Sequence, residues 1–148
     1  MKVAKFLAIL LLLVASWLLL CACGGPLSDA AKLKELDFGS DKVPTINAVL
    51  GQERKVTAVD VGTNNGAPFK QYTYSSTSVT QDLSVFAKHL RDKGWVVVKD
   101  YNFEKIPGMA SLAIESSESG KILYMSIAYE KDKYAIKVTK AKGTLTRD

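Results

Sequence analysis

Residues 121–139 read KILYMSIAYEKDKYAIKVT, and their pattern of apolar side chains indicates which kind of sheet this chain forms. Apolar and polar side chains alternate on both sides of the charged run 130–133, which is the pattern of two half-buried strands joined by a turn. The apolar positions that share a face are Leu123, Met125, Ile127 and Tyr129 in the first strand and Tyr134, Ile136 and Val138 in the second. The stretch therefore predicts an antiparallel hairpin with one apolar face that another element must cover.

The covering element is an amphipathic helix predicted over residues 79–93. Its apolar stripe consists of Val79, Leu83, Phe86 and Leu90. Ser78 and Gln81 have the spacing of a capping box before it, and Gly94 follows as a left-handed stop signal. This helix has one face to bury and needs a sheet on which to bury it.

Shorter β-rich runs extend the sheet. The further strands predicted are residues 55–61, 69–75, 95–103 and 110–115. A long turn over residues 62–68 joins the first two, and Ser119-Gly120 is a two-residue turn before the hairpin. The order β-β-α-β-β-β-β with short turns predicts an α+β fold: an antiparallel sheet of about five to six strands with one main helix packed on one face. The other face is expected to be exposed to solvent or used to bind a partner.

The first residues have the three-part layout of a secretory signal. Lys2 and Lys5 form a short positive region, and residues 6–20 form an apolar run interrupted only by Ser16. This run is shorter than the ~20 residues that a helix needs to cross the hydrocarbon core of a bilayer. Small residues and a cysteine follow it.

The motif Leu20-Cys21-Ala22-Cys23 resembles the lipobox of bacterial lipoproteins. The resemblance implies cleavage between Ala22 and Cys23, a diacylglyceryl group on the Cys23 thiol and often acylation of the new amine. It covers only the first 23 residues and implies no activity. Two alternatives remain: a frame that ends at Cys21, which places a leucine where a small residue is expected, and an uncleaved anchor over residues 6–22.

The sequence divides into three parts. Residues 1–22 are a lipoprotein signal peptide, residues 23–41 a lipidated tether, and residues 42–148 a single small α+β domain, since the chain is too short for two cores. The tether begins Gly24-Gly25-Pro26 and contains a weakly helical stretch over residues 28–36 with a thin apolar face. It is expected to be mobile or loosely docked and to hold the domain away from the bilayer.

Composition restricts the function. The formal net charge is +5, and it falls to about +3 when Lys2 and Lys5 leave with the signal. This mild charge argues against nucleic-acid binding. Both cysteines lie in the signal region, so the domain forms no internal disulfide.

No pattern of catalytic or metal-binding residues stands out. His89 is the only histidine and has no cysteine nearby, which makes a poor metal site. The carboxylates are scattered singly, and the serines cluster at the ends of elements, where hydroxyls cap and turn the chain. Residues 62–66 lack the lysine and following helix of a phosphate loop. The sequence therefore predicts a non-enzymatic protein without a cofactor or metal.

Aromatic and basic residues form a candidate binding surface. Its members are Tyr72, Tyr124, Lys137 and Lys140, because the aromatic side chains outnumber what one helix can cover and lysines gather toward the last hairpin. Two alternatives remain open. The extra aromatic residues can pack against residues 24–54, and the lysines can protect a sheet edge from pairing with other strands.

Together these features predict a membrane-anchored envelope lipoprotein with a non-enzymatic binding or scaffolding role. It lies on the extracytoplasmic side of a cell membrane or outer membrane, held by lipid on Cys23. Its expected partner is an envelope protein or a wall polymer, not nucleic acid. The alternative is an inhibitor of an envelope hydrolase or, less in keeping with the residues, such a hydrolase itself.

Overall fold

The computed structural model describes residues 26–146. In chain order its elements are α1 (Pro26–Lys32), β1 (Glu35–Phe38), β2 (Asp41–Pro44), α2 (Ile46–Leu50), β3 (Val56–Asn64), β4 (Ala67–Ser75), α3 (Val79–Asp92), β5 (Val96–Lys99), β6 (Gly108–Glu115), β7 (Lys121–Tyr129) and β8 (Lys133–Lys142). The predicted signal peptide and its processing site at Ala22 and Cys23 lie outside the described residues. Within residues 26–146 no helix is long and apolar enough to span a membrane.

The predicted hairpin forms the centre of a six-stranded antiparallel sheet with the order β3-β4-β8-β7-β6-β5. β7 and β8 pair with Met125 opposite Val138 and Ile127 opposite Ile136, so the apolar positions of both strands share one face. β1 and β2 form a separate two-stranded sheet. The predicted α+β class, with a main helix on an antiparallel sheet, is confirmed.

Helix α3 covers part of the apolar face. Its buried side chains Leu83, Phe86 and Leu90 have no exposed surface and join one core cluster with the apolar residues of β6, β7 and β8. The helix ends as expected, because Gly94 follows it with a φ of 95°. Its start differs from the prediction. Ser78 makes no side-chain capping bond, and the Ser78 N–H instead donates to Ser76 Oγ at 2.9 Å.

Residues 26–50, here called the N-terminal segment, cover the rest of the same face. Leu36, Phe38, Val43 and Ile46 are buried in the core cluster together with side chains of α3 and the sheet. The Asn47 side-chain amide donates to the carbonyls of Ala31 at 2.9 Å and Arg54 at 3.0 Å, which connects α1 and α2 to the start of β3. The covered face therefore has two covering elements: α3, and the N-terminal segment, which the sequence offers only as an alternative partner for the aromatic residues.

The packing of this segment corrects the predicted tether. From Pro26 onward the chain is not mobile or loosely docked, because Ala30 and Ala31 of α1 are 7% and 4% exposed and belong to the core cluster. The helix is also shorter than predicted and is followed by a strand, in which Leu36 and Phe38 alternate with exposed residues. The packed unit thus includes α1, whose first buried side chain is Ala30, and does not begin at residue 42.

Two loops differ from their predictions. The turn between β3 and β4 is short and centred on Asn65-Gly66, both with positive φ, because the strands extend through the residues assigned to a long turn. β5 ends at Lys99 after a shift in register. Beyond it Tyr101 stacks on Phe103 at 4.4 Å between ring centroids, and Phe103 meets Tyr129 edge-on.

Candidate binding face

The sheet face opposite α3 and the N-terminal segment is here called the open face. Its central positions, on β4, β8 and β7, are Phe69, Gln71, Thr73, Ala135, Lys137, Thr139, Ile122, Tyr124 and Ser126. All nine side chains are half-buried. Among residues 26–146 the core cluster that the three helices join contains none of them. One face of the sheet is therefore a hydrophobic core, and the other is a mixed aromatic, amide and hydroxyl surface.

An aromatic and cationic group occupies the middle of the open face. Lys137 Nζ lies 4.2 Å from the centroid of the Phe69 ring, a cation–π contact. Thr139 of β8 is directly opposite Phe69 of β4 on one side and Tyr124 of β7 on the other. Since neighbouring strands lie about 4.8 Å apart, the backbones of Phe69 and Tyr124 are separated by roughly 10 Å. The two rings and the amine can therefore contact one extended ligand at once.

A shallow depression lies toward one end of this face. It has a volume of about 210 Å³ and is lined by small side chains of the open face, Thr73, Ala128 and Ala135, together with Pro107 and the charged Glu130 and Lys133. Close by, Met109 is 50% exposed and stands opposite Ala128. Small residues thus leave room on the sheet where an apolar group of a ligand can sit.

Two of the four residues predicted for the binding surface lie on the open face, and two do not. Tyr124 and Lys137 are on it. Tyr72 is 7% exposed and lies on the covered face opposite Ile136, because the N-terminal segment provides the second cover. Phe69 was missed, although it alternates in phase with Gln71 and out of phase with Tyr72, which is a signal that sequence alone contains.

Lys140 is also on the covered side and is an internal ion-pair partner, not a surface lysine. It is 6% exposed, and its Nζ lies 2.8 Å from Asp41 Oδ2, 3.0 Å from Glu118 and 3.0 Å from the carbonyl of Phe38. Asp41 also accepts bonds from Ser117 N and Oγ, both at 2.8 Å. Burial alone raises the pKa of Asp41, but these bonds outweigh it and hold that pKa well below 3.8. The cluster joins the β1–β2 hairpin to the β6–β7 turn.

A second buried charge lies at the opposite end of the covered face. Asp82 of α3 is 1% exposed. The Arg54 guanidinium donates to both of its oxygens at 2.7 Å, Ser76 Oγ donates at 2.6 Å and the Tyr134 hydroxyl at 3.1 Å. Burial opposes ionisation, yet the Arg54 and Ser76 bonds keep the pKa of Asp82 below its ordinary value, while burial beside Asp82 raises the pKa of Tyr134.

This cluster has the residue types of an acid–base site without the geometry for one. A carboxylate with four donors and a lowered pKa is a weak proton acceptor, and Ser76 already uses its proton on it. His89 lies seven residues, or about 10.5 Å, further along α3. Within residues 26–146 no three His, Cys, Asp or Glu side chains are grouped so that they could hold a metal ion. The Asp82 cluster holds β8, α3 and the chain before β3 together.

Comparison of the chain with protein-family models, with curated proteins and with solved structures finds no match in any of the three. The site must therefore be interpreted from its own residues.

Proposed function

We propose that this protein is a membrane-anchored envelope lipoprotein that binds another envelope component through its open face, without catalysis. The observation that carries the proposal is the contrast between the two faces of one sheet. One face is covered by α3 and by the N-terminal segment, whereas Phe69, Tyr124 and Lys137 on the other remain half-exposed. Aromatic side chains at the centre of an accessible face are typical of recognition surfaces.

The envelope location rests on the sequence. The motif Leu20-Cys21-Ala22-Cys23 follows a positively charged and then apolar segment, as in exported lipoproteins. The chain has no cysteine from position 24 onward, so the domain folds without disulfides wherever it lies. Lipid chains on Cys23 would fix the protein to a membrane more firmly than a single acyl chain can.

The composition of the open face favours a polar, extended ligand over a large apolar partner. Gln71, Ser126 and Thr139 offer amide and hydroxyl groups beside the two rings, and such groups bind hydroxylated or peptide ligands without burying an unpaired polar atom. Lys137 adds one cation that suits an anionic group. Both a wall polymer and an extended peptide have these properties, and the experiment below separates them.

The test is photo-cross-linking in cells with the full-length protein. A photoreactive amino acid replaces Tyr124 in one variant and Val85 in a control, because Val85 is an exposed residue of α3 on the opposite side of the molecule. We expect capture of one dominant species from position 124 and loss of that capture when Phe69→Ala and Lys137→Ala are added. Equal capture from both positions, or none, would contradict a role for the open face.

The identity of the captured species decides among the classes of partner. A single envelope protein indicates an adaptor, and a captured hydrolase whose activity falls on binding indicates an inhibitor. Captured glycan indicates a wall-binding protein. A parallel variant, Cys23→Ser, should move the protein from the membrane fraction to the extracytoplasmic soluble fraction, and continued membrane retention would overturn the anchor.

A further inference from the structure

Helix α1 begins three residues after the proposed lipid attachment, and its side chains enter the core from Ala30 onward. Cys23 precedes Pro26, the first residue of α1, by three positions. Three residues reach at most about 11 Å when fully extended. A lipidated Cys23 therefore leaves too little chain for the domain to stand away from the bilayer.

Helix α1 cannot peel away to lengthen this connection without disrupting other contacts. Ala30 and Ala31 are buried in the core cluster. At its end, the Asn47 amide donates to the Ala31 carbonyl at 2.9 Å and Thr45 Oγ1 donates to the Leu33 carbonyl at 2.6 Å. Releasing α1 would leave the buried Asn47 and Thr45 donors without these acceptors, and an unpaired buried donor is costly in free energy.

Exposed apolar side chains are present where the anchor begins. Leu27 of α1 and Leu33 just after it are each 40% exposed, and Val59 and Val61 of β3 are 39% and 56% exposed. α1 packs beside β3, and both valines point to the side of the sheet on which α1 lies. We call these four residues the anchor-side surface. The edge strand β5, at the far side of the sheet, has its own exposed valines but no nearby anchor.

We propose that the anchor-side surface rests on the headgroup region of the bilayer, so that the domain is held in one orientation with β3 next to the membrane and β5 away from it. This inference depends on the proposed lipidation of Cys23. Apolar side chains at a lipid interface gain from burial in proportion to their area. Six strands place β5 about 24 Å further from the lipid than β3.

The charges near the proposed anchor indicate that the contact with the bilayer does not need anionic lipid. Among residues 26–35, Lys32 and Lys34 are balanced by Asp29 and Glu35, all of them exposed. A charge-neutral stretch gains little from anionic lipid. The orientation should therefore persist in zwitterionic vesicles and at high salt.

The orientation can be tested by labelling single introduced cysteines, because the only cysteines in the sequence are Cys21 and Cys23. If Cys21 is removed with the signal and the Cys23 thiol has the diacylglyceryl group, the purified lipidated protein has no free thiol. Val61→Cys and Val97→Cys then each provide one labelling site. These are matched exposed valines that both point to the covered side, one on each edge strand.

Each variant is labelled with a thiol-reactive fluorophore and reconstituted into phosphatidylcholine vesicles that contain a quencher at headgroup depth. We expect several-fold stronger quenching at position 61 than at position 97, unchanged by salt. A Gly/Ser spacer inserted between Gly25 and Pro26 should reduce the quenching at 61 while the protein stays on the vesicles. Circular dichroism of each labelled variant confirms that it is folded.

The outcomes separate the two proposals. Thiol labelling of the wild-type lipidated preparation, or its failure to stay on vesicles, would overturn the lipid anchor. Retention on vesicles with equal quenching at both positions, or with stronger quenching at 97, would overturn the orientation and leave the anchor intact.

Discussion

The two faces of the central sheet use the same residue types for opposite purposes. On strand β8, Lys137 points to the open face and contacts the Phe69 ring, whereas Lys140 points to the covered face and is an ion-pair partner of buried Asp41. Tyr134 is 1% exposed and donates to Asp82, while Tyr124 on the neighbouring strand is half-exposed. Residue type alone therefore does not mark a binding surface; the register of a strand and what covers each face decide its role.

The largest difference in the free energy of unfolding is expected between variants of two phenylalanines, one on each face. Phe86→Ala, at a fully buried position of α3, should lower the free energy of unfolding by about 3–5 kcal/mol, because it removes core contacts and leaves a cavity. Phe69→Ala on the open face should cost about 1 kcal/mol or less. Urea unfolding of the chain from residue 23 with Cys23→Ser measures both. Similar losses would mean that the open face is part of the core.

The second contrast uses two lysines of one strand. Lys140→Met keeps the aliphatic stem but leaves the buried Asp41 carboxylate without its cation and the Phe38 carbonyl without its donor, so the melting temperature of this variant should fall clearly. Lys137→Met removes a cation from a half-exposed ring contact and should leave the melting temperature nearly unchanged. Thermal unfolding followed by circular dichroism distinguishes them. A larger drop for Lys137→Met would reverse the comparison.

The covered face should also make the protein sensitive to acid. The pKa values of Asp41 and Asp82 are lower in the folded protein than the ordinary 3.8. Their contribution to stability is thus complete above about pH 5 and is lost as the pH falls through 3.8 toward the folded pKa values, since the unfolded chain then binds more protons. Urea unfolding between pH 7 and pH 3 should show a steep decline that is flatter in Asp41→Asn. An equally steep decline in that variant would assign the acid sensitivity to other groups.

The smallest contrast concerns two tyrosine hydroxyls. Tyr134→Phe removes one of four donors to Asp82 and should cost about 1 kcal/mol, because the other three remain. Tyr124→Phe should change stability by less than about 0.5 kcal/mol. Its effect is expected instead in the cross-linking yield from a photoreactive residue placed at Ile122, a second open-face position of β7. A Tyr124→Phe variant with lower stability than Tyr134→Phe would show that the open-face hydroxyl has an unrecognised internal partner.

The covered face could be predicted from the sequence where its pattern is long. Helix α3 and strands β7 and β8 each repeat their apolar period several times, so their faces were found correctly. The N-terminal segment could be foreseen only as an alternative cover, because β1 and β2 have four residues each and only two buried positions apiece. Tyr72 follows the alternative that the sequence left open, since it is buried in the core cluster together with side chains of the N-terminal segment.

The error at Lys140 has a different origin. A lysine in a polar C-terminal stretch is ordinarily exposed, and its burial depends on Asp41 and Glu118, which are far from it in sequence. No local pattern contains that information. Phe69, in contrast, was within reach of alternation reasoning, because it is in phase with Gln71 on the face opposite Tyr72.

The position of β8 has a consequence for how the chain reaches its folded state. Among residues 26–146 this strand is the last in chain order, yet it lies in the interior of the sheet between β4 and β7. Until it emerges from the ribosome, its two neighbours have no partner for those edges and the N-terminal segment has only half a surface to cover. The sheet can therefore close only after β8 has left the ribosome, and a chain cut short before Lys133 would keep two unpaired strand edges that expose it to aggregation.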